Sequence, residues 1–131
     1  MPYSNRSDGS NLKGVQVLVV EDNWSVARAL KSALERLGMS VIGPAATTAE
    51  ARRLIVPSHP GLALVDMNLK GELATDLIDE LHAQGTPVIV VSGYVVPAVA
   101  KEKVVAFLQK PFSRDELIAA LREAVDRETT A

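Results

Sequence analysis

Glu21, Asp22, Asp66, Ser92 and Lys110 are the residues of this chain whose types and placement can do chemistry. Each follows an apolar run: Glu21 and Asp22 follow VQVLVV, Asp66 follows LALV, Ser92 follows VIVV, and Lys110 follows VVAFLQ. Three carboxylates gathered in one cleft repel each other, and their pKa values rise unless a cation neutralises them. Mg2+ suits such a place, because it takes one or a few carboxylates together with water and phosphate oxygens. An ion of this kind offers a bridge between an acid and a phosphoryl donor, drawing off charge as phosphorus transfers to Asp66. The Ser92 hydroxyl can donate to one phosphoryl oxygen, and Lys110 can offer a point positive charge to another. Asp66 ends a central run and is the natural nucleophile. Glu21 and Asp22 end the neighbouring run and suit the metal.

Taken singly, these residues have plainer roles. An acid after a strand is often a helix N-cap, and Asp22 fits that role as well as a ligand's. Ser92 alone reads as a turn residue, and Lys110 alone, before Pro111, as a solvated surface lysine. Their joint occurrence at four strand ends is what favours a shared site.

Apolar runs of this length read as strands buried on both faces. Their alternation with helical patterns marks a repeating strand–helix fold. Strands are predicted at 15–20, 40–43, 62–65, 88–91 and 104–108, with Pro44 stopping the second. The first helix places Val26, Leu30, Ala33, Leu34 and Leu37 on one face and ends at Gly38. The second is opened by a capping box of Thr47 and Glu50, buries Ala51, Leu54 and Ile55, and is expected to end before PSHPG. The third buries Ala74, Leu77, Ile78 and Leu81 and closes at Gly85. The last is opened by Ser113 and Glu116 and buries Leu117, Ile118, Leu121 and Val125. Between Ser92 and the final strand, SGYVVPAVAKEK leaves too little chain for a regular crossover, so a fourth crossover helix is expected to be short, distorted or absent. Right-handed crossovers then favour a doubly wound α/β sheet of five parallel strands with helices on both faces. In such sheets the site lies at the carboxyl ends of the strands.

Hydrophobic residues make up 47% of the 131 residues and charged residues 23%, an ordinary globular composition for one domain. A net charge of −2 argues against a nucleic-acid partner, which needs a basic face. There is no cysteine, which excludes disulfides and thiolate metal sites and fits a cytoplasmic setting. No apolar stretch approaches the roughly 18 residues of a membrane span, and the polar start is unlike a secretory signal. Residues 1–13 read as a loose N-terminal tail, 14–126 as the domain, and 127–131 as a C-terminal tail.

The segments VLVVEDN, ALVDMNL, VIVVSGY and FLQKPF, in this order and spacing, resemble the landmarks of response-regulator receiver domains, over about residues 14–126. The resemblance implies the flavodoxin-like strand order 2-1-3-4-5. It implies that Asp66 is the phosphoacceptor, supplied by a histidine kinase or a phosphotransfer protein. Glu21 and Asp22 resemble the acidic pair that binds Mg2+. Asn68 matches the position whose backbone carbonyl joins the metal and whose side chain tunes dephosphorylation. Ser92 and Lys110 match the hydroxyl and the lysine that contact the phosphoryl group, and the bond to Pro111 is often cis in such proteins. Phe107 matches the aromatic switch on the last strand, a position that plain core packing explains equally well. Two departures stand out. Lys70 replaces a frequent proline, so the loop after Asp66 is expected to be more mobile. The short segment after Ser92 is similar to a subgroup of mostly stand-alone receivers with Gly-Tyr at this point, which makes Tyr94 a second switch candidate or an ordinary surface aromatic.

The loop after the first strand, EDN, would repel the phosphate of a flavin. A phosphatase with an aspartate nucleophile would need a second acid where Asn68 stands. The remaining alternative is a receiver-fold interaction module whose phosphorylation is incidental. The expected function is a two-component receiver that acts only on its own phosphorylation state, is no enzyme toward other substrates, and signals by protein contact to an unknown downstream partner without an output domain. Homodimerisation is a further expectation from the family.

Overall fold

The computed structural model of the chain describes residues 10–93 and 101–130. In chain order the elements are β1 (Gln16–Val20), α1 (Trp24–Arg36), β2 (Ser40–Ala45), α2 (Thr48–Ser58), β3 (Leu62–Asp66), β4 (Asn68–Leu69), β5 (Glu72–Leu73), α3 (Thr75–Ala83), β6 (Val88–Ser92), β7 (Ala106–Gln109) and α4 (Arg114–Thr130). Two 3-10 turns, Ser10–Leu12 and Lys101–Lys103, complete them. One sheet runs in the order β2-β1-β3-β6-β7, and every neighbouring pair is parallel. This is the doubly wound sheet expected from the sequence pattern, in the flavodoxin-like order that the resemblance implies. Among the described residues, no helix is long and apolar enough to cross a membrane.

The continuous apolar runs are explained by burial on both faces. Along β1, Val17 and Val19 face a core with Leu30 and Leu34 of α1 and Leu117 and Leu121 of α4. Leu18 and Val20 face the opposite core, with Ile55 of α2 and Leu77, Ile78 and Leu81 of α3. All five residues of β3 are buried, Asp66 among them. Both expected capping boxes form. Glu50 N–H donates to Thr47 Oγ1 at 3.1 Å, while Glu50 Oε1 accepts from Ala46 N–H at 2.8 Å. Glu116 N–H donates to Ser113 Oγ at 3.0 Å, and Ser113 N–H returns to Glu116 Oε1 at 2.8 Å.

Several boundaries differ from expectation, each for a local reason. β2 does not stop at Pro44 but runs to Ala45. It is an edge strand, where a missing N–H costs no ladder bond, and the register shift against β1 accommodates the proline. α2 passes through Pro57 to Ser58. The proline removes one helical bond and its ring crowds the carbonyl four residues back, but the helix ends within one residue, and His59 N–H still reaches Ile55 O at 2.9 Å. The last strand begins at Ala106 rather than Val104. Part of the expected N-terminal tail belongs to the fold, because Leu12 is fully buried beside α4. At the other end, α4 continues to Thr130, where a tail was expected. In the shortened crossover the described residues hold only the 3-10 turn Lys101–Lys103, tied to α3 by Lys103 Nζ–Asp79 Oδ1 at 2.9 Å.

Candidate functional site

The sheet ladder continues one residue past several strands and so fixes the backbone that carries the site. Glu21 N–H donates to Ala45 O at 2.9 Å, Met67 N–H to Val91 O at 2.9 Å, and Lys110 N–H to Ser92 O at 2.7 Å. Glu21, Asp66 and Ser92 are buried there, although polar. Lys110 Nζ lies between two acids, 2.8 Å from Glu21 Oε1 and 3.1 Å from Asp66 Oδ2. The second oxygens of these acids accept main-chain N–H groups: Asn23 N–H on Glu21 Oε2 at 3.1 Å, and Asn68 N–H on Asp66 Oδ1 at 3.0 Å. Glu21, Asp22 and Asp66 each offer a carboxylate oxygen, all lying within 4.8 Å of one another. The three acids expected to share an ion are thus brought together.

The capping role weighed for Asp22 falls to its neighbour. Asn23 is the N-cap of α1, and its side-chain Oδ1 accepts from Val26 N–H at 3.1 Å. The sequence signal is an Asx side chain three residues before Val26, ambiguous in EDN because two adjacent residues qualify. With Asn23 as the cap, the Asp22 carboxylate is available to the acidic cluster.

Burial drives the electrostatics. Desolvation pushes the Glu21 carboxyl above its ordinary value, and the charge of Asp66 adds to this; the bonds from Lys110 and Asn23 oppose it without cancelling it. For Lys110, burial alone would lower the pKa. The bonds and charges of Glu21 and Asp66 outweigh it and hold the ammonium above its usual range. One ammonium against three ionised carboxylates leaves two negative charges, which one dication cancels. Every side-chain donor is a hard carboxylate oxygen, so the set fits Mg2+ and not a metal that prefers thiolate or imidazole.

Asn68 holds a main-chain bond to Asp66, but its side chain turns elsewhere: Oδ1 accepts from Gly71 N–H at 2.8 Å. The segment after Asp66, expected to be mobile, is an antiparallel hairpin of β4 and β5. The sequence offered a clue in Lys70-Gly71 between Leu69 and Glu72, yet each strand is too short to show a period. Phe107 pairs with Val90, and Gln109 with Ser92. Alternation along the strands therefore puts Phe107 on the sheet face that also carries Ser92. The residue is 38% exposed, so it is not plain core packing. Tyr94 lies outside the described residues, and the Lys110–Pro111 bond is cis.

A family model, the response regulator receiver domain, matches residues 17–122. The chain is 35% identical over 123 residues to the transcriptional regulatory protein KdpE of Mycobacterium tuberculosis, covering 88% of this chain and 53% of that protein. It is 32% identical over 120 residues to protein PilG of Pseudomonas aeruginosa, covering 86% of this chain and 88% of that one. Against the first curated relatives, DctD of Pseudomonas aeruginosa and KdpE, it spans 25% and 53% of their length. Among solved structures, the response regulator PhyR of Brucella abortus superposes with a TM-score of 0.83 at 25% identity, over 98% of this chain and 54% of that one. A CheY-like receiver domain protein of Methanospirillum hungatei gives 0.77 at 26% identity, over 90% of this chain and 98% of that one.

Proposed function

The chain belongs to the response regulator receiver domain family, and from that premise we propose that Asp66 accepts a phosphoryl group from a histidine kinase or a phosphotransfer protein. The observation that carries this reading is the meeting of Glu21, Asp22, Asp66 and Lys110 at one sheet edge.

A carboxylate oxygen of Asp66 attacks phosphorus. The new O–P bond forms as the P–N bond to the donor histidine breaks, and the donor nitrogen leaves with the electron pair. Lys110, anchored through its own backbone to Ser92, holds a positive charge within reach of the acceptor. The Ser92 hydroxyl serves another phosphoryl oxygen. The carboxylates of Glu21, Asp22 and Asp66, with the main-chain carbonyl of Asn68, would hold Mg2+. When bound, the ion supplies positive charge that offsets the charge of the transferring group. The chain acts on its own phosphorylation state and on no external substrate. A phosphoryl group on Asp66 draws Ser92 toward it and opens space into which Phe107 swings along the shared sheet face; Tyr94 takes part in the same switch. The changed surface is read by a protein partner.

Phosphotransfer from a panel of labelled histidine kinases and phosphotransfer proteins tests this. Label passing to the wild type and not to Asp66→Asn is expected. Equal labelling of Asp66→Asn would overturn the assignment of the acceptor.

A further inference from the structure

We infer that the β4–β5 hairpin is a clamp that sets the main chain of Asn68 beside the acceptor, with Lys70, Gly71 and the Asn68 side chain as its positioning residues. The inference rests on the reading of Asp66 as acceptor and of the acidic cluster as a Mg2+ site.

The ladder of the hairpin dictates which groups of Asn68 face the site. Ala74 N–H donates to Met67 O at 2.9 Å, so Met67 and Ala74 form a hydrogen-bonded level. Asn68 and Leu73 are the next opposed pair, and Leu69 and Glu72 close the turn. Bonded and non-bonded pairs alternate in an antiparallel ladder. The Asn68–Leu73 level therefore leaves the N–H and C=O of Asn68 directed out of the hairpin. The N–H is found on Asp66 Oδ1 at 3.0 Å. The carbonyl of the same residue is the group that the proposed site lends to the cation.

Three features hold this level in place. Lys70 and Gly71 have φ of 52° and 87°, two consecutive left-handed residues that make a tight primed turn. The Asn68 side chain accepts from Gly71 N–H at 2.8 Å and fastens that turn from inside. Glu72, on the outer strand, accepts from Thr48 Oγ1 at 3.0 Å, which moors the hairpin to the first turn of α2. The side chain of Asn68 thus serves the turn, and its contribution to the acceptor passes through its backbone. A Cβ added at Gly71 would meet nothing within 4 Å, so the requirement there is for backbone conformation and not for space. What position 70 must supply is likewise a left-handed backbone. Proline, fixed near φ −65°, cannot supply it.

Calorimetric Mg2+ titration of the full chain, with amide deuterium exchange, separates turn from charge. Lys70→Asn removes the ammonium and keeps a residue that favours this turn, so its Mg2+ affinity should stay within about twofold of the wild type. Lys70→Pro opens the turn, and its affinity should fall about tenfold or more, the scale seen when groups that orient ligands are lost. Asn68→Ala should fall with it, and in both the Gly71 amide should lose protection while cooperative unfolding is retained. Wild-type affinity in Lys70→Pro would overturn the inference, as would an equal fall in Lys70→Asn, which would assign the effect to the ammonium. If Lys70→Pro does not fold, Gly71→Ala takes its place: a partial loss supports the clamp, and unchanged affinity overturns it. A wild type that binds no Mg2+ overturns the underlying reading of the site, and the clamp with it.

Discussion

Asp22 is the residue at which ligand and cap can be told apart by experiment. Because Asn23 caps α1, removing the Asp22 carboxylate leaves the helix start intact. Asp22→Ala should weaken Mg2+ at least about tenfold, the lower scale for disturbing even outer-shell groups. Its unfolding free energy without Mg2+ should change by no more than about 0.5 kcal/mol. Calorimetric titration and denaturant unfolding of the same variant check both halves. Glu21 makes a pH prediction. Its folded pKa lies above the ordinary value of 4.5, so the folded state holds this proton where the unfolded chain has released it. Its contribution to stability is therefore greatest below about 4.5 and declines as pH rises through the raised folded value. Without Mg2+, the melting temperature of the wild type should fall more steeply with pH over this window than that of Glu21→Gln. Added Mg2+ should flatten the wild-type profile. Parallel profiles for the two proteins would contradict the burial argument.

At the scale of elements, what was legible follows from which signals are local. Long apolar runs and one-faced helices are set by burial, and they appeared at 16–20, 62–66 and 88–92 nearly as read. Capping boxes at Thr47 and Ser113 are contained within a few residues, and both formed. The site was legible for the same reason: an acid directly after a buried parallel strand must emerge at the carboxyl edge. The hairpin after Asp66 was not legible, because its strands have two residues each. Leu12 was hidden for another reason, since one apolar residue in a polar run gains its burial from α4, distant in sequence. Pro44 was misread because its tolerance depends on β2 lying at the sheet edge, a property of the assembled sheet. The bend there makes its own prediction. Gly43 has φ 94°, and a Cβ would stand 2.7 Å from Ala45 N and 3.1 Å from Val19 O. Gly43→Ala should cost roughly 3 kcal/mol from conformation and crowding together. Gly71→Ala, with open space around it, should cost less, and equal losses in urea unfolding would contradict this reading of the edge.

The whole molecule is a two-faced sheet whose buried acids sit at one edge, and an ion bound there is linked to folding. A ligand that binds only the folded state at about 100 times its Kd adds ~2.7 kcal/mol. For a domain of this size that corresponds to roughly 10 °C in Tm. Thermal unfolding should show such a rise in the wild type at that Mg2+ concentration, and about half of it or less in Asp22→Ala at the same concentration. In the proposed function the same edge carries phosphoryl uptake and the switch, so both should depend on the ion. Intact-mass measurement of the chain with acetyl phosphate tests this most directly. One phosphoryl unit should appear on the wild type with Mg2+, and none with excess chelator or in Asp66→Asn. An adduct that survives both the chelator and the loss of the Asp66 carboxylate would contradict it.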